Sequence, residues 1–146
     1  MADTMVFPEG TIRVDRAGDF FYGDERVEHP RVLRMLKIGL VQLEPGVYGF
    51  RLGPRTVTVE VEDAPWQVEK VLTTDAGPVA RLSNETEHAI AAGAVVYRGD
   101  VPYLTLPDGE ARFQPLAALR LGDWLIERDG AIVLRIGDED RVVGEL

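Results

Sequence analysis

Thr56-Val57-Thr58-Val59-Glu60-Val61-Glu62 is the clearest periodic stretch of this sequence, with valines alternating with threonines and glutamates. Successive side chains of a β-strand point to opposite faces, so the alternation predicts a strand with one apolar face and one polar face. Half-buried strands of this kind are typical of antiparallel sheets. We therefore expect a fold in which antiparallel strands dominate.

Turn signals divide the rest of the chain into further strands. Asp108-Gly109 and Asp129-Gly130 each predict a two-residue hairpin, because glycine tolerates the positive φ that these turns require. These hairpins join residues 102–106 to 110–113 and residues 124–127 to 132–136. The run Asp75-Ala76-Gly77-Pro78 likewise predicts a turn between strands at 66–73 and 79–82.

Helical signals occur at two places, and both are short. Pro30 and Pro115 are each suited to the first position of a helix, where the missing N–H carries no cost. Gly39 and Gly122 are the matching stop signals. The side chains expected to face inward are Val32, Leu33, Leu36 and Leu40 in the first helix, and Leu116, Ala118 and Leu119 in the second. Helices this short are unstable alone, so we expect each to pack on a sheet.

The order of these elements occurs twice, which predicts an internal repeat. Each copy runs hairpin, helix, strand and strand, and the two copies end on Phe50-Arg51-Leu52-Gly53 and Leu134-Arg135-Ile136-Gly137. The predicted fold is therefore α+β, with mainly antiparallel strands and two short helices built from two repeated hairpin-helix-hairpin motifs. The corresponding division is an N-terminal motif at residues 1–53, a connecting antiparallel sheet at 54–100 and a C-terminal motif at 101–146. The two motifs form either one compact unit or two small lobes.

Composition excludes several classes of function. The 146 residues carry 25 acidic side chains against 16 basic ones, for a net charge of −9. Nucleic-acid binding depends on basic groups that displace counterions, so it is not expected. There is no cysteine, so thiolate catalysis and cysteine-ligated zinc are excluded. Catalytic side chains are scarce, because the chain has a single serine, Ser83, and two histidines.

The sequence contains no membrane signal. Its longest apolar stretch, residues 89–97, is shorter than the about 20 residues that a spanning helix needs. Residues 1–8 lack the basic start and apolar core of a secretory signal. We therefore expect a cytoplasmic protein with no membrane partner.

Several motifs resemble those of a bacterial domain-of-unknown-function family, number 1285. The segment Val59-Glu60-Val61-Glu62-Asp63-Ala64-Pro65-Trp66 is similar to the family's VEVEDAPF-like motif. Other segments that resemble family motifs are the opening Ile12-Arg13-Val14-Asp15, the helix at residues 29–36, residues 82–93, Pro102-Tyr103-Leu104 and Glu110-Ala111-Arg112-Phe113. The resemblance implies an α+β fold with repeated motifs, no established enzymatic activity, and a role in signal transduction.

Five residues beside predicted turns are candidates for binding. They are Trp66, Asp63, Arg55, Asn84 and His88. A tryptophan offers a large contact area with one donor, and an arginine fork can bind a carboxylate or a phosphate. The alternative interpretation is that Trp66 lies in the core and that Arg55 is solvated.

Two classes of function remain open on these residues. The first is a non-enzymatic binding or regulatory module that takes an unknown small ligand or protein partner and needs no cofactor. The alternative is a hydrolase that uses carboxylates, either alone or with a divalent metal. Its candidate residues are Glu60, Glu62, Asp63 and Glu85, although Glu60 and Glu62 also fit the solvated face of a strand. Exposed sheet edges additionally make a homo-oligomer possible.

Overall fold

The computed structural model describes residues 11–145, so the start of the chain, on which the secretory-signal expectation rests, lies outside the described residues. Fifteen strands and two helices are present in that range. The helices are α1 (Pro30–Gly39) and α2 (Pro115–Leu121), and single 3₁₀ turns span Ala92–Ala94 and Gly122–Trp124. The predicted α+β class, rich in antiparallel strands, is confirmed.

The first sheet contains six strands around one parallel pair. Its members are β1 (Ile12–Val14), β2 (Phe20–Tyr22), β3 (Glu25–Arg26), β4 (Val41–Glu44), β5 (Val47–Leu52) and β6 (Arg55–Val61). Their order across the sheet is β3-β2-β1-β6-β5-β4, and β1 lies parallel to β6 with Ile12 opposite Val59. The apolar face of β6 predicted from its valines packs with α1 into one core, which includes Leu36, Leu40 and Phe50.

The second sheet repeats this arrangement. Its members are β7 (Trp66–Thr74), β8 (Gly77–Leu82), β9 (Glu87–Ala89), β10 (Val95–Arg98), β11 (Val101–Leu106) and β12 (Gly109–Phe113). The order is β9-β8-β7-β12-β11-β10, and β7 lies parallel to β12. The 3₁₀ turn Ala92–Ala94 falls between the third and fourth strands, the position that α1 has in the first sheet.

A third sheet completes the molecule. It is the antiparallel meander β13 (Leu125–Arg128), β14 (Ala131–Ile136) and β15 (Glu139–Glu145). Leu134 of this sheet is fully buried in the core of the second sheet, together with Phe113 and Leu121.

The predicted repeat of a hairpin-helix-hairpin motif is not confirmed, although two similar sheets exist. The hairpins on either side of α1 lie in one sheet, whereas those on either side of α2 lie in two different sheets. The parallel pairs β1–β6 and β7–β12 cause this difference. Each joins the first and last strands of its sheet, so residues 12–61 and 66–113 form two matching units. Strand β6 completes the first sheet, so the sheets divide after residues 61 and 113. The division into domains at 1–53, 54–100 and 101–146 stays a prediction.

Both helices begin at the predicted prolines. Of the residues predicted to face inward from α2, Ala118 packs against the core of the second sheet, but the two leucines do not. Leu116 and Leu119 are 80% and 74% exposed, whereas Ala117 and Leu121 are buried against the second sheet. A seven-residue helix offers two apolar stripes, and packing selects the one with the small alanine because the helix then approaches β7 closely. Within residues 11–145, neither helix has the length and hydropathy to cross a bilayer.

Candidate functional site

Two aromatic residues join the two six-stranded sheets. The Trp66 indole N–H, from β7, donates to the carbonyl oxygen of Leu40 at the end of α1, at 3.1 Å. The Tyr48 hydroxyl, from β5, donates to the carbonyl oxygen of Asp108 in the β11–β12 turn, at 3.0 Å. The two rings meet edge to face with their centroids 5.7 Å apart. Each sheet therefore places an aromatic side chain against backbone of the other.

Helix α1 is also tied to the second sheet by charge. Arg34 makes a bidentate pair with Glu85, with distances of 2.7 and 3.0 Å. Lys37 pairs with Glu69 of β7 at 3.2 Å. The hydrogen bond from Arg34 lowers the pKa of the Glu85 carboxyl. Exposed pairs of this kind contribute little stability, and the apolar face of the helix packs into the core of the first sheet.

A cleft of about 420 Å³ opens where these contacts meet. We call it the junction cleft, and its wall combines apolar and polar side chains. The apolar residues are Ile38, Leu40, Val41, Trp66, Leu82, Leu106 and Pro107, and the polar residues are Gln42, Asn84, Thr86, His88 and Asp108. An apolar wall with a few polar groups is the usual composition of a small-molecule site, and the volume lies in the range for such sites.

A tight turn after β8 presents the polar residues on one side of the cleft. The Asn84 side-chain oxygen accepts hydrogen bonds from the Thr86 backbone N–H at 3.1 Å and the Thr86 hydroxyl at 2.6 Å. Because that hydroxyl donates to Asn84, its oxygen accepts from His88 Nε2 at 3.0 Å. Asparagine oxygens commonly close turns in this way. The network orders Asn84 and His88 before any ligand arrives.

The structure brings three of the five predicted binding residues together in the junction cleft. These are Trp66, Asn84 and His88. Trp66 is only 5% exposed, so it lies in the core, as the alternative interpretation expected, while its edge lines the cleft. Arg55 lies elsewhere, exposed at the first position of β6.

Asp63 is engaged in a different cluster. It accepts hydrogen bonds from the Tyr103 hydroxyl at 2.7 Å and from Arg112 at 3.2 Å. Burial, followed by the bond to Asp63, raises the pKa of the Tyr103 hydroxyl. Asp63 also lines a second cavity, of about 380 Å³, beside Tyr48 and Glu110.

The carboxylates of the hydrolase alternative do not converge. Glu62 pairs with Arg13, Glu85 with Arg34, and Asp63 with Arg112. Glu60 is exposed on the polar face of β6. Nowhere in residues 11–145 do three or more histidine, aspartate or glutamate side chains form a group that could hold a metal ion. The geometry therefore does not support a carboxylate-dependent hydrolase.

Comparisons with known proteins agree with the resemblance seen in the sequence. No protein-family model matches the chain, and no curated protein matches it significantly. A crystal structure of a DUF1285 family protein from Silicibacter pomeroyi DSS-3 matches with a TM-score of 0.73 at 18% identity, covering 92% of this chain and 80% of that one. The chain has the fold of the DUF1285 proteins. A second such structure, from Shewanella baltica OS155, matches with a TM-score of 0.64 at 17% identity, covering 79% of this chain and 92% of that one.

Sequence reasoning missed several residues of this junction. Tyr48 and Asp108 face each other across 60 positions of sequence, and no local pattern marks that contact. Gln67 was missed as well, although its side chain is 97% buried against Gly18 and its amide nitrogen has no hydrogen-bond partner among the described residues. Only the Asp108-Gly109 turn was visible in the sequence, where it signalled a hairpin rather than a contact.

Proposed function

We propose that this chain is a non-enzymatic binding module whose site is the junction cleft and whose ligand is a small molecule. The observation that carries this proposal is that Trp66 meets the segment containing Asn84 and His88 in one cleft. The absence of converging carboxylates among the described residues makes catalysis a weaker explanation.

The cleft combines the two properties that a small ligand requires. Its apolar residues offer burial, which contributes roughly 25 cal/mol for each Å² of apolar ligand surface removed from water. Asn84 and His88 offer directed hydrogen bonds, and their own network holds them in place. Ordered polar groups lose little conformational entropy on binding, which favours affinity.

The position of the cleft also supports a regulatory role. Its walls come from α1 and β4 of the first sheet and from the turns after β8 and β11 of the second sheet. A ligand that touches both sheets stabilises the observed arrangement of the two sheets, because binding favours the state that makes the contacts. Ligand binding would thus change the stability of the contacts between the two sheets. A place in signal transduction and a cytoplasmic location belong to this proposal, and a protein partner or a homo-oligomer stays a prediction.

A ligand screen by NMR tests the proposal. The ¹⁵N-labelled protein is titrated with a library of small metabolites, and binding is followed at the Trp66 indole N–H and the backbone amides of residues 84–88. We expect at least one compound to shift these resonances together. His88→Ala should lower the affinity for that compound several-fold, because one hydrogen bond contributes about 1 kcal/mol.

His29→Asn is the matched control for that variant. His29 caps α1 by accepting from the Arg31 backbone N–H at 3.2 Å, and asparagine keeps a capping acceptor at the same place. Affinity should therefore be unchanged in this variant. The proposal is wrong if no compound shifts the cleft resonances, or if every binder maps to another surface.

A further inference from the structure

The junction cleft carries an unbalanced charge. Of its lining residues, Asp108 is acidic, and no lysine or arginine is present among them. Two basic groups of α1 are already used, since Arg34 pairs with Glu85 and Lys37 pairs with Glu69. An anion in the cleft would lose hydration without gaining an opposite charge.

The electrostatic environment of Tyr48 points the same way. Burial is the main reason that the pKa of its hydroxyl is raised, and the negative charges of Glu110 and Asp108 raise it further. Tyr48 donates to the backbone oxygen of Asp108, so it lies directly beside the turn that lines the cleft. The negative charge of Asp108 therefore acts at this turn, whereas that of Glu110 is also balanced by its pair with Arg98.

We infer that the junction cleft selects a small organic cation, with an apolar body held among the apolar side chains and an ammonium group held beside Asp108. This inference rests on the proposed function, because it names the ligand class of the same site. The ammonium group would also find an acceptor in the side-chain oxygen of Gln42, which lines the same cleft. A phosphate or carboxylate ligand of the same size would be disfavoured.

Three probes that share one apolar body test the charge selection. They are 2-phenylethylamine, 3-phenylpropionamide and 3-phenylpropionate, which are cationic, neutral and anionic near neutral pH, and each is titrated under the same conditions. Affinity and location both come from the Trp66 indole N–H and the amides of residues 84–88. We expect the amine to bind about five- to tenfold more tightly than the carboxylate, with the amide between them, as one partly exposed charge pair predicts.

Asp108→Asn is the decisive variant, and Asp129→Asn is its control. Both aspartates precede glycine in a hairpin turn, but Asp129 lies in the third sheet and does not line the cleft. The preference for the amine should fall below about twofold in Asp108→Asn and stay unchanged in Asp129→Asn, since only the first removes the charge beside the ligand.

The outcomes separate this inference from the proposed function. Equal or tighter binding of 3-phenylpropionate overturns the charge selection while leaving a ligand site in the cleft. The charge selection is also overturned, and the ligand site kept, if none of the three probes binds but the wider metabolite library yields a cleft ligand. If the library also yields none, both the inference and the proposed function are wrong.

Discussion

Gly109→Ala should weaken the junction between the two six-stranded sheets. Gly109 has φ +154°, and a Cβ placed there would lie 2.4 Å from the Tyr48 hydroxyl oxygen and 3.1 Å from the Trp66 ring. Tyr48 is held on the other side by its hydrogen bond to Asp108, so it cannot yield without losing that bond. The substitution therefore acts on backbone strain and on the junction together.

The magnitude follows from these two effects. An alanine in this region of φ costs about 1–3 kcal/mol, and loss of the Tyr48 hydrogen bond costs about 1 kcal/mol. We expect the free energy of unfolding to fall by about 2–4 kcal/mol in urea denaturation, with a fall in Tm of roughly 5–15 °C. Gly130→Ala is the control, because Gly130 has φ +78° but no atom within 4 Å of the added Cβ. Gly130→Ala should lower the free energy of unfolding by only about 1 kcal/mol, from backbone strain alone.

A double-mutant cycle isolates the contact itself. Tyr48→Phe removes the oxygen that the new Cβ would meet, so Gly109→Ala should cost about 1 kcal/mol less in the Tyr48→Phe background than in the native protein. If the two substitutions are additive within about 0.5 kcal/mol, or if Gly109→Ala costs no more than Gly130→Ala, the reasoning about this junction is refuted.

Two further predictions concern other polar groups at the junction. Gln67→Met should raise the free energy of unfolding by about 1 kcal/mol, because it removes a buried amide nitrogen without a partner while keeping the length of the side chain. An unchanged or lower urea midpoint would contradict this. Arg34→Ala should raise the Glu85 pKa toward its usual 4.5, as read by NMR titration of the carboxyl group. Since the native pKa is lowered, the pair's stabilisation is present above about pH 4.5 and lost as the pH falls through the lower native value. Arg34→Lys keeps a charge and should give an intermediate pKa, whereas an unchanged pKa in Arg34→Ala would show that the pair does not form.

Much of the secondary structure could be predicted, because its causes are local. The alternation at residues 56–62 identified β6, and Asp108-Gly109 and Asp129-Gly130 identified the turns between β11 and β12 and between β13 and β14. Pro30 and Pro115 correctly marked the starts of both helices. Prediction failed where a local pattern fitted two arrangements. Helix α2 is an example, because its two apolar stripes are equivalent until the helix packs on a sheet.

The candidate site was predictable only as a set of residue types. Trp66, Asn84 and His88 stood out because they are uncommon and lie beside turns. Nothing in their spacing showed that they share a cleft, or that Asp63 and Arg55 lie outside it. Their meeting depends on how the two six-stranded sheets are joined, and that junction includes buried contacts such as the hydrogen bond from Trp66 to Leu40, 26 positions apart.

The amino-acid sequence by itself determined the strands, the turns, the short helices and the lack of cysteine chemistry, because backbone preferences and side-chain periodicity act over a few neighbouring residues. Tertiary structure decided that β1 pairs with β6 and β7 with β12, that two matching sheets form, and that a cleft opens between them. Pairings between strands distant in sequence depend on which apolar faces can be buried together, and that is a property of the whole folded chain.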